Sequence, residues 1–384
     1  MTIPDIETAR PLLESAHVEL AKRVGEFAAR DLAPRVAPAD DGAARSEARA
    51  LLGVLGAGGW LECIRGGDWR ACCLTREALA AASPLADAVF ALQALGTLPI
   101  FSSGNAAMRE RWAGPAIAGR AMGAFAMTER GAGSDVAALE TTARRDGDDY
   151  VLEGSKRFIS NAGIADFYVV FASTDRARGA KGISCFVVPA EAKGLRFVAA
   201  QVLSAPHPLG EIALEGCRVS AQNRLGEEGR GLALGLGTLD RLRATVGAAA
   251  CGMAARALDE ALSHARTRRQ FGKPLCEFQL VQDKLARMAT ELAASRLLVH
   301  RAAWQADHGA ERVTLEAALA KSYATEAAQR IVDEAVQILG GEGVMASHVV
   351  DRLYRAVRAL RIYEGATEIQ RLVIAGQLLK QAAP

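Results

Sequence analysis

The stretch YVLEGSKRFISNAGIADFYVVFAS, residues 150–173, sets two β-branched and aromatic runs on either side of an Asn-Ala-Gly break. Runs of that kind bounded by turn formers are strand signals. Similar runs follow at GISCFVVP (182–189), LRFVAA (195–200) and EIALEGCRV (211–219), so a β region extends from about Gly123 to Gly229. Outward from it the texture changes. On the N-terminal side Leu12, Leu13, Ala16, Leu20, Val24, Phe27 and Ala28 recur at helical spacing, and an Ala-rich helical pattern runs past Ala82 to about Ala121. Glycines between Gly53 and Gly67 read as an irregular interruption. On the C-terminal side the helical period returns over 241–269, 280–308, 313–339 and 367–379.

Helix, then β, then helix, without βαβ alternation, excludes a Rossmann sheet, and no GxGxxG lies between a strand and a helix. The pattern predicts an α+β multidomain chain: an α-helical domain over 1–122, a β domain over 123–229 and a bundle of long helices over 230–384. A length of 384 residues suits two or three compact domains. With 50% hydrophobic and 23% charged residues the composition is globular. A net charge of +2, with basic residues scattered among acids, leaves no nucleic-acid footprint. The opening MTIPDIETAR has early acids and no apolar signal region, and the longest apolar run, Ala244 to Ala255, is too short for a membrane span. The expectation is a cytoplasmic protein with no membrane partner. Seven cysteines show neither CxxC spacing nor an even disulfide framework, and six histidines show no metal-ligand spacing, so no metal site is expected.

Five segments carry residues suited to chemistry. In GAFAMTERGAGSDV (123–136), Gly131 and Gly133 allow close backbone approach, and the Thr128 and Ser134 hydroxyls suit a flavin edge or pyrophosphate; an ordinary Gly/Ser/Asp turn has the same composition. In KRFISNAG (156–163), Phe158 and Ser160 stand two apart and point to one side of a strand. RTRRQFGKPLCEFQ (266–279) runs from a helix into the stop FGKP. Its Arg268 and Gln279 have the fork and amide that grip phosphate and adenine, although arginines suit a helix C-terminus without any ligand. In QILGGEGV (337–344), clustered glycines end a helix or expose amides to an anion. RIYEGATEIQR (361–371) holds a lone carboxylate, Glu364, before a helix start, where an acid also complements the helix dipole.

In order and spacing these segments resemble the signatures of the acyl-CoA dehydrogenase family, strongly from Gly123 to Leu379. TERGAGSDV is similar to the family's Thr-Glu-Pro-Gly-Ala-Gly-Ser-Asp, with Arg130 in place of proline. The resemblance implies an N-terminal helical domain, a central antiparallel β-barrel-like domain and a C-terminal four-helix bundle. It implies FAD-dependent α,β-dehydrogenation of an acyl-CoA, with electrons passed to an electron-transfer flavoprotein. Glu364 then stands where the catalytic base is expected, because the alternative position, Leu242, cannot titrate. Phe125, Met127, Thr128, Gly133 and Ser134 fall at the flavin and substrate entrance. Phe158 and Ser160 replace the family's flavin-shielding Trp and its Thr. Arg268, Phe271, Gln279, Gln337 and Gly341 match residues that bind FAD across a subunit interface, which implies a homo-oligomer, usually a tetramer. Ser134, Arg243, Tyr363 and Gly365 fall at substrate positions. Ala356 and Ala366 depart from the family's Asp and Thr. The segment from Pro84 to Asn105, expected in the pocket wall, holds no Lys or Arg, which favours an apolar or modestly branched acyl group. Two other readings stay open: a homologue acting on a carrier-protein thioester, reoxidised by oxygen, and a non-catalytic helical interaction protein.

Overall fold

The computed structural model describes residues 3–381. Seven helices precede the main sheet: α1 (Ser15–Phe27), α2 (Asp41–Ala57), α3 (Glu62–Gly66), α4 (Trp69–Ala82), α5 (Pro84–Ser103), α6 (Ala106–Met108) and α7 (Gly114–Ile117). Strands β1 (Gly123–Ala126), β2 (Thr142–Asp146), β3 (Asp149–Ser160), β4 (Phe167–Ser173), β5 (Ile183–Pro189), β6 (Leu195–Ala200) and β7 (Leu209–Ser220) follow. Then come α8 (Gly231–Thr267), the short strands β8 (Arg269–Gln270) and β9 (Lys273–Pro274), α9 (Gln279–Asp307), α10 (Thr314–Leu339), α11 (Val349–Leu360) and α12 (Thr367–Gln381). The chain groups into two compact units that are each discontinuous in sequence: a sheet unit, Ala37–Gly66 with Ala88–Leu239, and a helical unit, Met1–Val36 with Gly67–Asp87 and Asp240–Pro384.

In the sheet unit the strands order as β1-β4-β2-β3-β7-β6, with β5 on the other edge of β4. β4 is buried along its whole length, as its continuous apolar sequence requires of a strand covered on both faces. Its alternate residues feed two separate cores. Phe167, Val169 and Phe171 pack with Trp112, Met127 and Val187, whereas Tyr168, Val170 and Ala172 pack with Tyr150, Leu152 and Val188. Pairing is antiparallel except where β1 and β2 meet β4, so the sheet is mixed. The β3–β7 ladder slips register between Lys156 and Ile159, and Phe158 takes a left-handed φ of 56° at that bulge. The glycine-rich stretch from Gly53 is helix at both ends, in α2 and α3, and the expected interruption is a turn over residues 58–61, where Gly59 has φ 71°. α2 continues through Gly56, where a Cβ would collide with the backbone of Ala118 and Gly119.

In the helical unit α10 packs against α9, α11 and α12. Half of its buried residues are alanine, among them Ala317, Ala320, Ala324, Ala327 and Ala328, which lets neighbouring helices approach closely. α4 packs on α1 and α9. α8 meets α4 at Gly252, where a Cβ would strike the Glu77 carbonyl. α11 lies in a stretch for which the sequence predicts no element, yet Val350, Leu353, Val357 and Leu360 form one buried face. α5 is the one helix among the described residues long and apolar enough to cross a membrane, with a mean hydropathy of 1.5; 78% of it is buried within the folded chain. It is a longer apolar run than the one expected around Ala244 to Ala255.

Candidate active site

Glu364 lies between the end of α11 and the start of α12, with φ 53°, and is followed by Gly365 at φ 90°. A left-handed backbone costs a non-glycine residue on the order of 1–2 kcal/mol and persists where its surroundings over-determine it. Three side chains do so here. Arg243 Nε donates to the Glu364 carbonyl at 3.3 Å, while Lys321 Nζ and Gln370 Nε2 donate to the Gly365 carbonyl at 2.7 and 3.0 Å. A Cβ on Gly365 would run into the Gln370 amide. The side chain that this turn presents is unsatisfied: Glu364 Oε2 is buried and accepts no hydrogen bond among the described residues. Its main-chain N–H likewise finds no acceptor among them. Burial raises the Glu364 carboxyl above the usual range, against the pull of Arg76, Lys321 and Arg243. A desolvated carboxylate with a vacant lone pair is a strengthened base.

A second buried cluster faces the same turn. Arg76 and Asp87 are each 1% exposed and pair through two bonds, Nε to Oδ1 at 2.7 Å and Nη2 to Oδ2 at 2.9 Å. Arg76 Nη1 donates to Thr245 Oγ1 at 2.9 Å, and Thr245 in turn donates to the Leu242 carbonyl at 2.7 Å. The absence of cations from 84–105 therefore says little about the surroundings of Glu364, because the arginine arrives from α4. No spacing in the sequence links residues 76, 87 and 245; their meeting depends on three helices packing together. Lys321, also missed from sequence, is lowered to about 8 by burial, although Glu364 opposes that shift.

The substrate-position residues divide. Tyr363 and Gly365 flank the candidate base directly. Arg243 uses Nε on the Glu364 carbonyl and Nη1 on the carboxylate of Asp240 in its own helix, so one of its nitrogens serves the turn and another is anchored on α8. Ser134 lies in the sheet unit and is exposed.

The sheet unit also carries Phe125 on β1, Met127, Thr128 and Gly133 just after it, and Phe158 and Ser160 at the end of β3. Two contacts tie these segments together: Arg157 N donates to Thr128 O at 2.9 Å, and the fully buried Lys156 bridges Glu129 Oε1 at 2.6 Å and Met127 O at 3.3 Å. Burial brings Lys156 down to about 8, with Glu129 opposing. Beyond the glutamate, the main-chain N–H groups of Gly131, Gly133 and Ser134 donate to no acceptor among the described residues.

The remaining candidates line the helical unit. The segment FGKP, expected as a simple helix stop, is a two-residue hairpin: Phe271 and Gly272 both have positive φ, 49° and 82°, between β8 and β9. Positive φ at both central residues is the signature of a type I′ turn. The turn thrusts Phe271 outward, 93% exposed. Arg268, Gln279, Gln337 and Gly341 are exposed as well. His264 near the end of α8 stands 3.9 Å from Glu342, which sets that end beside the glycine turn after α10. His17, Asp68 and Asp307 bring ligand-type atoms within 4.8 Å of one another, but Asp307 already accepts from Trp69 N and Arg70, and Asp68 from Ala71 N.

Models of the acyl-CoA dehydrogenase N-terminal, middle and C-terminal domains match residues 14–120, 124–217 and 229–379. A 3-(aryl)acrylate reductase of Clostridium sporogenes is 43% identical over 288 residues, covering 74% of this chain and 76% of the relative. A chain in the structure of the electron transferring flavoprotein of Acidaminococcus fermentans, solved toward a mechanism of flavin-based electron bifurcation, superposes with a TM-score of 0.90 at 33% identity, covering 96% of this chain and 99% of its own. A prolyl acyl carrier protein oxidase superposes at 0.87 with 30% identity, covering 95% and 99%. With a domain model matched along almost its whole length, the chain belongs to the acyl-CoA dehydrogenase family and is an FAD-dependent oxidoreductase.

Proposed function

We propose that Glu364 is the base that takes the α-proton of an acyl-CoA thioester as the substrate becomes a trans-2-enoyl-CoA. The observation that carries this reading is the lone carboxylate oxygen, buried and unpartnered on a strained turn that three side chains clamp. The Glu364 main-chain N–H, without an acceptor of its own, suits the negative charge that develops on the thioester oxygen as the proton leaves. Arg243 and Lys321 act one step back: by holding the carbonyls of residues 364 and 365 they aim both the carboxylate and that N–H. Gln370 completes the clamp, so proton transfer needs little reorganisation of the turn.

The residues proposed to hold FAD are Phe125, Met127, Thr128, Gly133, Ser134, Phe158 and Ser160 of the sheet unit, with Arg268, Phe271, Gln279, Gln337 and Gly341 from another subunit. They fit the group: the unused N–H donors of Gly131, Gly133 and Ser134 suit anionic oxygens, and the Phe158 ring, 53% exposed, offers a flat apolar surface. When bound, FAD supplies the acceptor for the hydride leaving the β-carbon.

The assembly we infer is a homotetramer. Supporting it, the helical unit leaves the large apolar side chains Phe271, Leu280, Val344, Leu372 and Leu379 more than half exposed. An electron-transfer flavoprotein as acceptor, a cytoplasmic location, an apolar or modestly branched acyl group and the three-domain division 1–122, 123–229 and 230–384 belong to the same reading. The likeness to a carrier-protein oxidase favours a second one, in which the thioester is borne by a carrier protein.

The test is anaerobic titration of the flavin absorbance with straight and branched saturated acyl-CoAs, repeated with Glu364→Gln. Bleaching by one thioester that is lost in the variant supports Glu364 as base. Equal bleaching in the variant excludes it, and a flavin that no acyl-CoA bleaches favours the carrier-protein reading.

A further inference from the structure

The two residues at which β3 departs from the family pattern, Phe158 and Ser160, are both held by one loop. After β6 the chain runs through residues 201–208 before β7. From this loop Gln201 Oε1 accepts the Phe158 main-chain N–H at 2.8 Å, and His207 Nε2 lies 2.7 Å from Ser160 Oγ. The first bond satisfies an amide that the β-bulge removes from the ladder and so supports the left-handed Phe158. The second has no such structural debt to settle. Ser160 is a terminal strand residue whose backbone is already paired with Leu209, and its hydroxyl is only partly buried. A partly buried serine hydroxyl bonds water readily, so an imidazole fixed at 2.7 Å changes its direction rather than its satisfaction.

We infer that His207 is a positioning residue: it occupies one hydrogen-bonding direction of the Ser160 hydroxyl and fixes the proton of that hydroxyl toward the flavin. The inference rests on the reading of Ser160 as a flavin neighbour. A free serine hydroxyl rotates about Cβ–Oγ and averages donor and acceptor directions. In this assignment His207 is the Nε2–H tautomer, whose N–H fills one Oγ lone pair and leaves the O–H bond to point elsewhere as a donor. The imidazole stays neutral across the physiological range: burial lowers it to about 4, against the opposing effect of Asp41 and with Arg45 adding to the burial. Asp41 and Arg45 are themselves paired at 2.6 Å, and Arg45 further donates to the carbonyls of Ala162 and Leu209, so the ground beneath the loop is stiff. A hydroxyl proton directed at the isoalloxazine favours the electron-rich reduced form, so the arrangement raises the reduction potential of the bound flavin.

The experiment measures the two-electron midpoint potential and the visible spectrum of the FAD-loaded protein for wild type, Ser160→Ala, His207→Phe, His207→Gln and the double variant Ser160→Ala/His207→Phe. FAD stoichiometry is measured on each. Losing one oriented hydrogen bond should shift the reduced-to-oxidised ratio roughly three- to tenfold toward oxidised, about 15–30 mV for a two-electron couple. His207→Phe should move the potential down in the same direction as Ser160→Ala. The double variant should match Ser160→Ala alone, and His207→Gln, which keeps an N–H donor, should recover most of the loss. An unchanged potential in His207→Phe at full FAD occupancy, or additive shifts in the double variant, overturns the role of His207 and leaves the flavin reading standing. A wild-type chain that takes up no FAD overturns both.

Discussion

Replacing Asp87 by Ala strands Arg76, a guanidinium 1% exposed, without the carboxylate that holds it at 2.7 and 2.9 Å. Thr245 still accepts one N–H, but a hydroxyl dipole does not neutralise a desolvated charge. Removing one member of a buried ion pair typically costs about 3–5 kcal/mol, whereas replacing both members by apolar residues of similar volume is often neutral or better. Urea unfolding followed by far-UV circular dichroism should therefore show Asp87→Ala destabilised by about 3–5 kcal/mol, with a Tm lower by roughly 2 °C per kcal/mol. The double variant Arg76→Met/Asp87→Leu should recover most of that. A second readout follows from position. Asp87 raises the Glu364 carboxyl and Arg76 lowers it, so with Asp87 gone the unopposed arginine should move the acidic limb of the pH–rate profile to lower pH. A loss below about 1 kcal/mol, or a double variant no more stable than the single one, would show that this pair does not behave as a buried charge pair.

Two further outcomes follow from the clamp on the base. Lys321→Met removes a cation that favours ionised Glu364, so the acidic limb should move to higher pH and turnover at neutral pH should fall; an unmoved limb would mean that Lys321 acts on the turn alone. Stability goes the other way. The folded-state pKa of Lys321 is depressed from 10.5 to about 8, so between those values the unfolded chain holds more protons and this group makes stability rise with pH. Methionine lacks that contribution, so the wild type should gain on the variant as pH climbs from 8 toward 10.5 in thermal melts. Gly365→Ala puts a Cβ on a left-handed residue and into the Gln370 amide, and should cost about 1–2 kcal/mol with a larger fractional loss of turnover. Unchanged stability and turnover would show that the turn tolerates distortion.

Much of the architecture is legible from residue pattern because burial imposes it. β4 reads as a strand since FYVVFA is apolar on both faces, and α10 reads as helix since its alanines recur with the helical period. β1 and β2 are only four and five residues long and are held by β4 and β3, so local pattern carries little of them. The β8–β9 hairpin hides behind Phe271-Gly272, a pair lacking the Asn or Asp that usually marks such turns. Around the candidate base the carboxylate itself is evident from its neighbours in sequence, but its supports are not. Arg76, Asp87, Thr245, Lys321 and Gln370 come from five different helices, and only packing brings them to residues 364 and 365. Phe158 and Ser160 stand out by spacing, whereas the register slip that rotates Phe158 and the loop that brings His207 are matters of pairing across the sheet.

The interleaving of the two units has a consequence for synthesis on the ribosome. Every residue of the sheet unit has been made once Leu239 emerges, so its two cores can close early. The helical unit begins with the first helix yet waits for segments beyond Asp240, which leaves α4, and the α1 packed on it, without α8 and α9 for most of translation. Those early helices carry buried apolar faces and the charge of Arg70, whose buried partner Asp307 arrives far later, whereas Arg76 meets Asp87 early and waits only for the Thr245 hydroxyl. Nascent chains of this protein therefore expose sticky, half-paired helices while already holding a finished sheet, and chaperone demand should concentrate on the N-terminal segment. A chain released before residue 364 would carry the proposed flavin-facing strands and no base at all.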